Sequence, residues 1–180
     1  MLAMTVFDLP GHGRSDALPE GAEIQALSAA VALDLLDQPS DLIGHSFGAT
    51  VALRLAVEHP ELVKSLTLIE PPYVAIIKAD HSDRVLEDDH VMAVYEEAMA
   101  AGDREKAARV FTSEWGDGRP WESSRDTTRQ SMIDQIHLIG AQNPALREDV
   151  GGMLAPGVLQ SVSVPVLLIE GAESPSEVGM

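Results

Sequence analysis

The pentapeptide Gly44-His45-Ser46-Phe47-Gly48 constrains this chain more than any other stretch of it. The short run Asp41-Leu42-Ile43 leads into it, and the apolar run Ala49-Thr50-Val51-Ala52-Leu53 leads out. A strand, a G-x-S-x-G turn and a helix in that order read as a nucleophile elbow. There the serine sits on a tight, strained bend with its hydroxyl held out at the top of a sheet. The bend calls for small residues two before and two after the serine. A side chain at Gly44 or Gly48 is expected to collide where the strand folds back against the helix. The plain alternative is a serine that caps the helix after it.

The rest of the chain supplies a setting for that turn. Ala3 to Phe7 reads as a short buried strand, followed by the turn-rich loop from Asp8 to Asp16. Apolar residues at helical spacing (Ile24, Leu27, Val31, Leu35) predict an amphipathic helix over Ile24 to Leu36. The helix after Ser46 is expected to stop before Pro60, and Leu66-Thr67-Leu68-Ile69 reads as a buried strand ended by Glu70-Pro71-Pro72. From Tyr73 to about Ser161 the pattern is helical. One helix is expected to be capped by Asp89 and ended by Gly102, the next to be capped by Asp103, and a third to run from about Thr127 to Leu138 and stop at Gly140. Strand character returns at Val164 to Ile169. Strands alternating with helices predict an α/β fold with a mostly parallel sheet, and the helical stretch 73–161 reads as a cap inserted into a core made of 1–72 and 162–180.

The formal net charge of −17 disfavours nucleic acid and anionic membrane surfaces, both of which usually meet a basic stripe. With no cysteine, disulfides and thiolate metal sites drop out. The histidines show no H-E-x-x-H and no i, i+4 pair, so neither a metal nor another cofactor is expected. No apolar run approaches membrane-spanning length, and the first residues lack a basic leader pattern, so a cytoplasmic protein is expected.

Two segments together, Phe7-Asp8-Leu9-Pro10-Gly11-His12-Gly13-Arg14-Ser15-Asp16 and Gly44-His45-Ser46-Phe47-Gly48-Ala49, resemble the esterase-like members of the α/β-hydrolase family. A third, Val164 to Gly171, is similar to the family's strand after the cap. The resemblance implies a partial α/β-hydrolase fold, truncated at both ends. Early strands and a His-Gly loop that donates one oxyanion N–H would precede Ala3, and the strand that brings the catalytic histidine would follow Ser174. One of those early strands lies, in the family, between the strand at Ala3 and the strand at Leu42. Unpaired central edges then predict a poorly stable, aggregation-prone chain unless those two strands pair directly or a partner fills the gap. A single cooperative melt near or above ~60 °C would contradict that expectation.

Ser46 is the candidate nucleophile, and the backbone N–H of Phe47 the candidate donor to an oxyanion. Glu70 ends a strand at the same sheet edge, one strand over, and is the first candidate for the triad acid. Family members more often carry the acid after the later strand, where this chain has Ser174 with Glu173 beside it, so Glu173 stands as the alternative. For both carboxylates a solvated strand end remains an open reading. No histidine fits the base. His59 lies at the far end of the elbow helix, His45 is expected to face elsewhere on the bend, His81 and His90 sit in an acidic stretch, and His137 belongs to a cap helix. His12 is on the correct sheet edge but reaches Ser46 only if the strand gap closes. Phe47 and Tyr73 are candidate substrate contacts. Trp115, Trp121, Tyr95, Phe111 and the methionines at 92, 99 and 132 either line an apolar pocket or, as spacing favours, pack the cap's own core. A serine at the elbow argues against dehalogenase and epoxide-hydrolase chemistry, which proceeds through an aspartyl ester. The expected function is hydrolysis of a small carboxylic ester or related acyl compound through Ser46, in a truncated form expected to be weakly active or inactive as it stands. The rival is a non-catalytic fragment or pseudoenzyme that keeps the scaffold without a base.

Overall fold

A computed structural model describes residues 3–80, 86–116 and 118–172, together with the backbone alone at 86–88. Helix α1 (Ile24–Asp34) starts at Glu23, whose carboxylate accepts from the Gln25 and Ala26 amides at 2.6 and 2.7 Å. Strand β1 (Ser40–His45) runs into helix α2 (Phe47–Glu58), which ends at His59 ahead of Pro60. Strand β2 (Val63–Ile69) follows. Among the described residues five helices then come before the next strand: α3 (Val74–Asp80), α4 (Leu86–Ala100), α5 (Arg104–Trp115), α6 (Asp126–Gln135) and α7 (His137–Arg147). Strand β3 (Val166–Ile169) follows, the last among the described residues. Among the described residues the sheet is parallel and three-stranded, in the order β1-β2-β3.

Register decides which side chains are buried. Leu42, Leu66 and Val166 share one face, as do Gly44, Leu68 and Leu168, while Ile43, Thr67 and Leu167 share the other. The first face meets α2 through Ala49, Ala52 and Ala56, which pack against Val63, Leu66 and Leu68. Three alanines at this contact let the helix lie close on the sheet. The opposite flank of α2 (Phe47, Val51, Leu55) packs with Ile24, Ala29 and Ala32 of α1 and with Leu138 and Leu146 of α7. Helices α4 to α6 carry a separate core around Met92, Tyr95, Ala98, Ala107 and Ala108, joined by Ile136 at the α6–α7 junction.

Several expectations change. Residues 3–7 pair with no described strand, and Met4 and Val6 are 79% and 78% exposed. A strand holds only where a neighbour satisfies its amides and carbonyls, so a short apolar run alone does not make one. The last strand is shorter than Val164 to Ile169, and all four of its residues are exposed. Asp89 lies inside α4 rather than at its cap. The single helix expected over Thr127 to Leu138 is two. The Tyr95 hydroxyl donates to the Ile136 carbonyl (2.9 Å) and accepts from the Gly140 amide (3.0 Å). It thereby sits between two groups that an uninterrupted helix would join directly. Helix α7 then continues through Gly140 and contains Pro144, two residues that suggested an end in the sequence.

On the sheet face away from α2, Ile43 is 72% exposed and Leu167 56%. An apolar sheet face open to water favours association between copies. Replacing both with lysine should raise the soluble, monomeric fraction seen by size-exclusion chromatography with light scattering and leave the melting temperature within a few degrees. Unchanged association in the double variant would place its origin elsewhere.

Candidate active site

Ser46 has φ 52° and ψ −128°, a conformation that costs a side chain of order 1–3 kcal/mol. The neighbouring strand holds it there: the Ser46 amide donates to the Ile69 carbonyl at 2.9 Å, and the Ser46 carbonyl accepts from the Ala49 amide at 2.8 Å. Its hydroxyl makes no capping bond to α2. Gly44 is required sterically, since a Cβ there would lie 2.4 Å from the Gly48 carbonyl oxygen and 2.5 Å from Ala49 Cα. Gly48 is not, because a Cβ at that position meets nothing within 4 Å. The expectation that both glycines are needed holds for one of them. Phe47 opens α2, so its N–H belongs to the leading amides that a helix leaves without an internal partner.

One strand over, Glu70 repeats the kink with φ 49°. The pairing of His45 with Ile69 sets it beside Ser46 at the same sheet edge. Its carboxylate accepts from the Gly171 amide at 3.1 Å, and its other oxygen lies 3.7 Å from His45 Nε2. The carboxylate is therefore held from both neighbouring strands. His45, expected to face away, instead joins this group.

A cavity of about 1100 Å³ opens at this edge. Ser46, Phe47 and Glu70 line it, as do His12 and His45. His12 reaches it through the loop from Asp8 to Asp16. There the Asp8 carboxylate accepts from the Arg14 amide at 3.0 Å, and Gly11 sits close enough to Leu138 that a Cβ would come within 2.7 Å. The His12 Nδ1 lies 3.0 Å from the Pro10 carbonyl, an acceptor only, so Nδ1 carries a proton and neutral His12 keeps Nε2 open. Among the described residues the Ser46 hydroxyl has no hydrogen-bond partner.

The helical block forms the facing wall. Met92, Phe111 and Trp115 line the cavity, Met92 and Phe111 while also packing in the block's core, and Tyr95, Trp121, Met99 and Met132 pack within the block, so the aromatic and methionine set serves both uses considered. Helix α7 presents Ile139, Gln142, Asn143, Leu146 and Arg147 to the cavity, a stripe at i, i+3, i+4, i+7 and i+8. This wall is missed in the sequence because Gly140 and Pro144 hide the helix that carries it.

Tyr73 does not line the cavity. It is 2% exposed, packs with Ala75 and Met153, and donates its hydroxyl to Asp149 at 2.9 Å. Asp149 (φ 52°) also accepts from the Met153 and Leu154 amides, each at 2.9 Å. Glu173 and His81 lie outside the described residues. His137 bonds to Arg104, and His59 lies 3.7 Å from Glu61, both away from the cavity.

A model of the alpha/beta hydrolase fold matches residues 3–175. The chain is 43% identical over 65 residues to a pimeloyl-[acyl-carrier protein] methyl ester esterase of Neisseria meningitidis, across 36% of this chain and 25% of that protein. It is 33% identical over 119 residues to lipase LipV of Mycobacterium tuberculosis, across 63% of this chain and 41% of that protein. Among solved structures, an alpha/beta hydrolase from Sphaerobacter thermophilus superposes with a TM-score of 0.66 at 24% identity, covering 95% of this chain and 65% of that one. The chain thus spans less than two thirds of the length of each. No helix among the described residues is long and apolar enough to cross a membrane. With a match over nearly its whole length, and a kinked serine between a parallel strand and the helix that covers the sheet, this chain belongs to the alpha/beta hydrolase family.

Proposed function

We propose that this chain is a serine hydrolase of small carboxylic esters or related acyl compounds, with Ser46 as its nucleophile. The observation that carries the proposal is the strained Ser46 backbone at the edge of a cavity of about 1100 Å³. Strain of this kind persists where the surrounding structure holds it, and such sites cluster where chemistry is done. In the proposed reaction Ser46 Oγ attacks the ester carbonyl carbon and its proton passes to a base. The developing oxyanion accepts from the Phe47 N–H, and collapse expels the alcohol, which takes up that proton. Water then cleaves the acyl-serine by the same route. Glu70 is the proposed acid that orients the base and supports its charge, with Glu173 as the alternative. The helices between β2 and β3 act as a cap over the cavity. The relatives named as a methyl ester esterase and a lipase support an ester substrate.

A second reading rests on one observation. The Ser46 hydroxyl has no hydrogen-bond partner among the described residues, which favours a scaffold that keeps the elbow without a working base. A fluorophosphonate probe separates the two, because it labels a serine only when the hydroxyl is activated. Stoichiometric labelling mapped to Ser46, lost in Ser46→Ala and slowed about tenfold or more in Glu70→Gln, supports the hydrolase. Folded protein that takes no label sinks it and leaves the non-catalytic scaffold.

A further inference from the structure

The wall that α5 presents to the cavity suits a positive charge. Phe111, Glu114 and Trp115 line it at i, i+3 and i+4, one face of the end of the helix, and Gly116 lines it where the helix stops. Glu114 is half-buried and, among the described residues, makes no hydrogen bond or ion pair. The other carboxylate and the guanidinium of the lining are engaged: Glu70 by the Gly171 amide and His45, and Arg147 by Asp89. The unbalanced charge in the wall is therefore the Glu114 carboxylate. A carboxylate that has lost part of its hydration gains when a cation comes beside it. Two further features act in the same direction. The last carbonyls of a helix lack internal partners and carry partial negative charge, and no Lys or Arg in the last turn of α5 offsets it. Aromatic rings, an indole above all, attract a cation that comes over their faces.

We infer that the end of α5 is a specificity element, and that the preferred ester carries an ammonium group remote from the scissile carbonyl, seated on Glu114 between Phe111 and Trp115. The inference rests on the hydrolase reading and adds the class of substrate. An anionic ester meets Glu114 as a like charge and is disfavoured, and a neutral chain strips water from the carboxylate and returns nothing for it. The chain's net charge of −17 draws cations toward the whole surface, but that diffuse field does not select one position within a cavity.

The test uses the Ser46→Ala chain, which binds without turnover, titrated calorimetrically with three esters that differ only in the group after five methylenes: methyl 6-aminohexanoate, methyl heptanoate and monomethyl heptanedioate. The ammonium ester should bind on the order of tenfold tighter than the neutral one, and the anionic ester weakest of the three. Adding Glu114→Gln should bring the ammonium and neutral esters within about twofold, although it removes only one of the chain's many negative charges. Adding Glu114→Lys instead should reverse the order in favour of monomethyl heptanedioate, a gain of binding that a damaged fold does not produce. Equal affinity for the ammonium and neutral esters, no binding of any of the three, or a preference that survives Glu114→Gln overturns the inference. Labelling of Ser46 in the wild-type chain is read separately. A labelled serine without an ammonium preference sinks this inference alone, whereas a folded chain that takes no label sinks the hydrolase reading.

Discussion

Gly44→Ala is expected to cost this chain about 3 kcal/mol or more, a large share of the ~5–15 kcal/mol that holds an ordinary domain together. The added methyl would sit 2.4 Å from the Gly48 carbonyl oxygen and 2.5 Å from Ala49 Cα, so what must give way is backbone and not a side chain that can rotate aside. Relief requires β1 to move away from the start of α2. Such a shift strains the Ser46 amide bond to Ile69 and the packing of Ala49 and Ala52 on Leu66 and Leu68. The expected measurement is a large fall in the denaturation midpoint, with loss of Ser46 labelling in whatever fraction stays folded. Gly48→Ala is the control. It enters open space on a helix, where alanine is favoured by up to ~1 kcal/mol, and should be neutral or stabilising. Equal damage from the two substitutions would refute the steric account of the turn.

Asp149→Ala is expected to destabilise by about 3–4 kcal/mol, because one carboxylate satisfies three donors at once. The Tyr73 hydroxyl would lose its acceptor in a 2%-exposed site, and the Met153 and Leu154 amides would lose theirs. Alanine is also poorly suited to φ 52°, which asparagine tolerates. Asp149→Asn should therefore recover roughly half of the loss, and Tyr73→Phe should cost only ~1–2 kcal/mol. Tyr73 follows β2 at the start of the helical block and Asp149 follows α7 at its end, so the bond pins the two connections to one another. A pH dependence follows. Burial first, and then the Asp149 carboxylate, push the Tyr73 phenol above its ordinary value. The folded chain thus keeps a proton that the unfolded chain releases near pH ~10. This contribution is complete below that pH and is lost as pH rises above it toward the folded value. Urea midpoints measured from pH 8 to 11 should fall at the alkaline end in the wild-type chain, and less steeply in Tyr73→Phe. Parallel slopes in the two proteins would remove Tyr73 as the cause.

The elbow was legible in the sequence because its determinants are local. Gly44, Ser46 and the alanines of α2 lie within a dozen residues, and hydrophobic period and glycine placement register at that range. The position of Glu70 was legible too, since parallel neighbours end together and Leu66, Leu68 and Ile69 mark the strand before it. Residues 3–7 show the limit of the same logic. Their apolar run is strand-like, yet among the described residues no partner pairs with them, and pairing is a long-range event that a local pattern does not report. Helix α7 failed for the opposite reason. Gly140 and Pro144 signal a stop locally, but packing of Leu138 and Leu146 against Phe47 and Val51 outweighs them.

By itself the sequence determined the family, the serine turn and the placement of Glu70 one strand over, all of which follow from residue size and period over short spans. Only the tertiary structure decided what surrounds them. It withdrew Tyr73 from the cavity into a buried bond with Asp149, brought His45 to within 3.7 Å of Glu70, and turned the Gln142, Asn143 and Arg147 face of α7 toward Ser46's cavity. Two of these three outcomes join residues more than twenty positions apart in sequence, and the third sets α7 against the distant α2. Such contacts form because a shared core has to be filled and buried polar groups have to find partners, conditions that no short window of sequence contains.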